Sequence, residues 1–217
     1  MRSLRADDFN HDEWAAGYDE SVLDEADPIR TGYGDVLCWT VERAEIAPDS
    51  VVVDLGAGTG NTSSRIGSAR HVMCVDVSAK MMELAKPKLT HLPSVEYVRV
   101  DLLEFFDAPR RFDRLISTYA VHHLTEDEKA LLMRCVASSL EPGGIAVFGD
   151  LMFEDRMAEA ALAEKYAKWP DVIESFEDEY FWYVDDAVEH ARAAGMEITE
   201  TRRFSDLSWG IRAQQQP

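Results

Sequence analysis

Five short apolar runs, spaced roughly 20 to 30 residues apart, limit what this chain can fold into more than any other feature. They are VVVDL (51–55), HVMCVDV (71–77), VEYVRVD (95–101), FDRLIST (112–118) and GIAVFGD (144–150). Each is rich in β-branched residues and reads as a buried strand. Each interval leaves room for a helical crossover, so the pattern predicts an α/β fold around a parallel sheet.

The intervening helices carry their own punctuation. Ser78 opens SAKMMELAK, which Pro87 stops. Thr125 and Glu128 form a capping-box pattern for TEDEKALLMRCVASSL, with Leu131, Leu132, Cys135, Val136 and Leu140 on one face and EPGG as its end. Residues 1–50 predict two helices, the first with Trp14 and Tyr18 one turn apart, the second within GYGDVLCWTVERAEI. Further helices are expected at 154–169 and 184–195, followed by a hairpin of MEITETRRF and LSWGIRA. With no repeat or linker in 217 residues, the reading is one domain over 1–217. It comprises a helical lid (1–50), a ligand-binding core (51–150), then a lid helix and terminal hairpin (151–217).

The first strand runs straight into GAGTG, which spends three of the twelve glycines on five residues. A strand, a glycine-rich turn and a helix together hold a nucleotide or anion close to the backbone. The spacing is G-x-G-x-G, however, and not the G-x-G-x-x-G of dinucleotide sites. Asp54 precedes the turn, where it would repel a pyrophosphate and attract an ammonium group. Asp76 ends the second strand and suits the two hydroxyls of a ribose. Asp101 ends the third and suits the amine of an adenine. These three acids ask for an adenosine with an amino-acid tail and no phosphate, which describes S-adenosylmethionine.

VVVDLGAGTGNT, VDVSAKMMELA, VRVDLLEF, FDRLISTYAVHHL and LEPGGIAVFGD resemble the successive motifs of class I S-adenosylmethionine-dependent methyltransferases. DEWAAGYDESV and STYAVHHLTEDEK resemble the small bacterial YrrT-type members. The resemblance implies a Rossmann-like, doubly wound sheet of seven strands, mostly parallel, with an antiparallel edge strand from the last hairpin. It implies cofactor contacts from Asp54, Gly56, Gly58, Asp76 and Asp101, with Met81 packing on the adenine. Ala57, Asn61, Val77, Leu102, Ser117 and Tyr119 flank these motifs and complete the expected cofactor set. Tyr18 is expected to close over the cofactor, and Trp14 to be structural.

His122 and His123 follow the fourth strand, at the carboxyl edge where open α/β sheets place their chemistry. One is expected to act as a general base on an attacking hydroxyl, thiol or amine; the competing reading is a helix cap and a packed ring. Between Asp171 and Glu189 lie eight acids interleaved with Phe176, Tyr180, Phe181, Trp182 and Tyr183. This segment reads as a solvated acidic helix face with an aromatic stripe toward the core; a surface for a cationic acceptor is the alternative.

A net charge of −19 argues against nucleic acid or an anionic membrane as partner. STYAVHH lacks the Asn/Asp-Pro-Pro-aromatic sequence associated with methyl transfer to planar nitrogens, so a small-molecule acceptor is expected. Cys38, Cys74 and Cys135 form no metal-ligand pattern, and no metal is expected. Free thiols, no apolar leader and no membrane-length run point to the cytoplasm, as a monomer or homodimer. A non-catalytic S-adenosylmethionine sensor and a nicotinamide-dependent oxidoreductase are the alternatives from other classes.

Overall fold

A computed structural model describes residues 1–6, 11–170, 172–174 and 179–216 of the chain. Asp171 and residues 175–178 of the acidic segment, Phe176 among them, therefore lie outside the described residues. The strands are β1 (Val51–Leu55), β2 (His71–Asp76), β3 (Val95–Arg99), β4 (Phe112–Thr118), β5 (Leu140–Phe153), β6 (Trp182–Tyr183), β7 (Met196–Arg203) and β8 (Ser208–Gln215). The α-helices are α1 (Ala15–Ser21), α2 (Tyr33–Arg43), α3 (Ala79–Ala85), α4 (Glu126–Ser139), α5 (Arg156–Lys165) and α6 (Val184–Ala193).

The sheet order is β3-β2-β1-β4-β5-β8-β7, with β1 to β5 parallel and the terminal hairpin supplying the antiparallel strand β8. The order reverses beside β1, so the glycine turn and the end of β4 share one crevice. Eight strands are present among the described residues where seven were expected. The extra one is β6, whose Trp182 and Tyr183 pair with Met152 and Phe153 because β5 runs beyond the sheet. β5 also begins at Leu140 and not at Gly144, since the EPGG segment joins it through a register shift opposite β4.

Both faces of the parallel strands are covered, which explains their near-continuous apolar character. Alternation sends Val52, Val72, Ile116 and Val147 to the side where Trp39 of α2 packs. It sends Val53, Val75, Leu115 and Phe148 to the side of Leu132, Val136 and Ala187 from α4 and α6. Helix α2 comes unusually close to the sheet. A Cβ on Gly149 would lie 2.5 Å from Val36, and one on Gly210 would lie 2.3 Å from Trp39. These two glycines are register partners in β5 and β8.

Two packing expectations change. Trp14 is 74% exposed at the start of α1, not part of a core. On α4 the buried face comprises Lys129, Leu132, Met133, Val136 and Ala137, while Leu131 and Cys135 are only partly covered. In the acidic segment Phe181 and Trp182 are buried, but Trp182 is in a strand and not on a helix face.

Candidate functional site

The turn after β1 answers why three glycines are needed there. Gly56 has φ +78°, and a Cβ on it would lie 2.3 Å from the Cβ of Ala120, in the loop after β4. Gly58 has φ +51°, with open space where its side chain would be. Gly60 is pressed against Ala85 of α3. Two glycines thus let the chain close on itself, and one leaves its outer side open to a ligand.

That open side belongs to a cavity of about 830 Å³, its mouth included. Of the residues expected at the site, Tyr18, Gly56, Ala57, Gly58, Asn61, Asp76, Val77, Met81, Asp101, Leu102, Tyr119 and His123 line it. Asp54, Ser117 and His122 do not. Asp54 is fully buried below the turn, with Oδ2 accepting from Ser63 Oγ at 2.5 Å. Ser117 is buried and donates to the Leu55 carbonyl, tying β4 to β1. His122 lies behind the wall.

The acids at the strand ends are already engaged. Asp76 accepts from the Gly58 N–H and the Ser78 N–H, each at 2.8 Å, so it shapes the glycine turn and still has lone pairs for a ligand. Burial raises its pKa, against the pull of those backbone donors. Burial also lifts Asp54 to about 7, with the Ser63 bond opposing and the Asp76 charge adding. The second oxygen of Asp54 has no hydrogen-bond partner among the described residues. Asp101 accepts from both the N–H and the hydroxyl of Ser3.

The N-terminal segment covers the cavity through polar ties. Asp19 of α1 accepts from Thr59 Oγ1 (2.6 Å), Asn61 Nδ2 (3.0 Å) and Lys88 Nζ (2.6 Å). Asn61 also donates to the hydroxyl of Tyr33, whose ring stacks on Tyr119 at 5.2 Å. Tyr119 itself has φ +49°, a left-handed conformation that is costly for an aromatic residue and that sits at this site. Burial raises the pKa of Tyr18, Tyr33 and Tyr119, so all three remain neutral donors near pH 7.

Beyond Tyr119, Asp150 organises the loop after β4. Its carboxylate accepts from the N–H groups of Ala120, Val121 and Leu151 and pairs with His122 Nδ1 at 2.5 Å. Burial raises the Asp150 pKa, but the His122 charge and these hydrogen bonds outweigh it and leave it lowered. His123 reaches the cavity and pairs through Nδ1 with Glu179 Oε2 at 3.0 Å. One nitrogen of each histidine and an oxygen of Glu179 lie within 4.8 Å of one another, a potential ligand cluster that the spacing of the sequence did not reveal.

Ser3, Ala6, Tyr33, Thr59, Thr62, Thr118, Ala120 and Leu124 also line the cavity and were not anticipated. Only Tyr33 had a visible signal, as the aromatic of a second glycine-flanked stretch, TGYGD. The rest come from the segment before α1 and from backbone beside the known motifs.

The cavity fits an adenosyl amino acid on its own terms. It offers an open glycine face and a carboxylate with lone pairs to spare at Asp76, and an unpartnered carboxylate oxygen of Asp54 is buried below the turn. Residues 52–144 match a family described as "Methyltransferase domain". An uncharacterized methyltransferase of Anoxybacillus flavithermus (strain DSM 21510 / WK1) is 37% identical over 183 residues, covering 82% of each chain. Among solved structures, magnesium protoporphyrin IX methyltransferase (ChlM) from Synechocystis PCC 6803 with bound SAH superposes with TM-score 0.71 at 19% identity, over 98% of each chain. The DhpI-SAM-HEP complex gives 0.70 at 19% identity, over 97% of this chain and 96% of that one. The chain belongs to the class I S-adenosylmethionine-dependent methyltransferases, enzymes that use S-adenosylmethionine as cofactor.

Proposed function

We propose that this methyltransferase acts on a small-molecule acceptor bound beside the cofactor, at the end of the cavity marked by Tyr119 and His123. The observation that carries this reading is the cover of the cavity: Ser3 and Ala6 of the N-terminal segment and Tyr18 of α1 form part of its wall. A folded macromolecule presenting a side chain would need that wall removed. The charge of −19 opposes nucleic acid as well.

Bound S-adenosylmethionine supplies a methyl group on a sulfonium, an electrophile with a good leaving group. The chain's task is to align the nucleophile and exclude water. Asp76 holds the ribose, Asp101 the adenine amine, and Met81 packs on the ring. Tyr18, Tyr33 and Tyr119 form an aromatic wall favourable to a cation. Asp54, below the glycine turn, gains its charge as pH rises through about 7 and then favours the ammonium of the amino-acid tail. His123 acts on the acceptor and not on the cofactor, by easing removal of its proton, and His122 supports it from behind the wall with Asp150. Residues 1–50 and the α5 region serve as a lid over the 51–150 core. The unbridged Cys38, Cys74 and Cys135 support a cytoplasmic setting.

Incubation with S-adenosylmethionine labelled at the methyl group and a deproteinised metabolite extract tests this reading. Label in a small metabolite is the expected result. Label only in protein or nucleic acid of a whole extract would overturn the small-molecule assignment.

A further inference from the structure

We propose that His122, His123 and Glu179 bind one divalent transition-metal ion of the zinc class at the acceptor end of the cavity. Two imidazoles and one carboxylate are a ligand set that zinc-class ions accept, and three protein ligands leave a position for a further molecule. The ligand atoms lie within 4.8 Å of one another. His123 Nδ1 and Glu179 Oε2 are 3.0 Å apart, roughly the separation of two neighbouring ligands each about 2.1 Å from an ion.

The surroundings carry the inference further than the cluster alone. His122 gives Nδ1 to Asp150, which is fully buried and held by three backbone N–H groups. A carboxylate on the far nitrogen fixes the ring and leaves Nε2 as the coordinating atom, the usual arrangement behind a metal-bound histidine. The segment that carries Glu179 is anchored to the same loop. The Tyr180 N–H donates to the His122 carbonyl at 2.9 Å, and the buried Lys129 ammonium binds the Tyr180 carbonyl. Asp150 and Glu179 together match the charge of a dication. His123 lines the cavity, so the ion's remaining position is at the place assigned to the acceptor.

This deepens the proposed function and rests on its placement of the acceptor. An ion here binds the acceptor's donor atom and lowers its pKa. The acceptor's proton leaves to water, and its lone pair forms the new bond to the methyl carbon. The carbon–sulfur bond breaks, and sulfur keeps the electron pair. Such a route requires an oxygen, nitrogen or sulfur acceptor and disfavours carbon.

Titration calorimetry of zinc into the chelator-treated chain, carrying no histidine tag, tests the site, with cobalt(II) absorption as a second reading. One ion per chain and visible cobalt bands are expected. His123→Ala and Glu179→Gln should each weaken zinc binding at least about tenfold, while His91→Ala leaves it unchanged. No zinc heat and no cobalt bands, or equal affinity in a His123→Ala/Glu179→Gln double variant, would overturn the site. S-adenosylhomocysteine titrated into the same samples reports folding and cofactor binding. Intact cofactor binding without an ion sinks this inference alone and leaves the methyltransferase untouched.

Discussion

Ser3 satisfies both oxygens of Asp101, through its N–H at 2.8 Å and its hydroxyl at 2.6 Å. A ligand amine that uses Asp101 must therefore displace a segment that already fills the role. Ser3→Ala removes one of these bonds and should speed association of S-adenosylhomocysteine by about three- to tenfold, the kinetic equivalent of one net hydrogen bond. Stopped-flow fluorescence measures this. An unchanged association rate would mean that the ligand enters without opening Asp101.

Asp76 faces two tasks at once, since it ties Gly58 to Ser78 and is proposed to hold the ribose. Asp76→Ala should weaken S-adenosylhomocysteine by about 1–3 kcal/mol through lost charge-assisted bonds alone. Loosening of the glycine turn adds to that loss. Calorimetry giving full affinity in the variant would remove Asp76 from the site.

Asp19 fastens α1 to the glycine turn through Thr59, Asn61 and Lys88. Closed lids in enzymes open to exchange ligands. Asp19→Ala should raise amide exchange across residues 11–22 in the free chain, and S-adenosylhomocysteine should restore much of the protection. Protection that is the same with and without ligand, in parent and variant alike, would make α1 a fixed wall.

Asp54 makes stability depend on pH. Burial raises its pKa from 3.8 to about 7, so the folded chain keeps a proton that the unfolded chain releases. The stability this contributes is complete below about pH 4 and is lost as pH rises through about 7, a change of roughly a few kcal/mol. Asp54→Asn should flatten that part of the profile in urea unfolding between pH 4 and 8. An identical slope in parent and variant would show that Asp54 ionises normally.

The two histidines should separate. His122→Ala removes one hydrogen-bond partner from the buried Asp150 carboxylate, which keeps its three backbone N–H donors, and should cost about 1–3 kcal/mol of stability. His123→Ala should keep the fold and the S-adenosylhomocysteine affinity, yet lower kcat/KM about 10²-fold once an acceptor is found. Wild-type turnover in His123→Ala would make alignment the whole of catalysis.

The five core strands, the glycine turn and the strand-end acids were legible because each is local: a run, a spacing, a residue at a fixed offset. What escaped depends on distant pairing. Lys129 reads as a solvated helix charge, but Glu126 and the Tyr180 carbonyl bury it. β6 is two residues within an aromatic run, too short for any periodicity to reveal. Glu179 meets His123 across 56 positions, and Ser3 meets Asp101 across 98. Trp14 has the spacing of a core residue yet stands 74% exposed at the N-terminus of α1.

The Gly149–Gly210 pair has a reach beyond the sheet. Two missing methyl groups let α2 settle against β5 and β8, and one turn before Val36 the same helix carries Tyr33 to the cavity. The width of the ligand chamber is thus set from its far wall, by hydrogen atoms that no ligand approaches. A single alanine at Gly149 would act as a shim under the helix and reset that width without altering any residue the ligand meets.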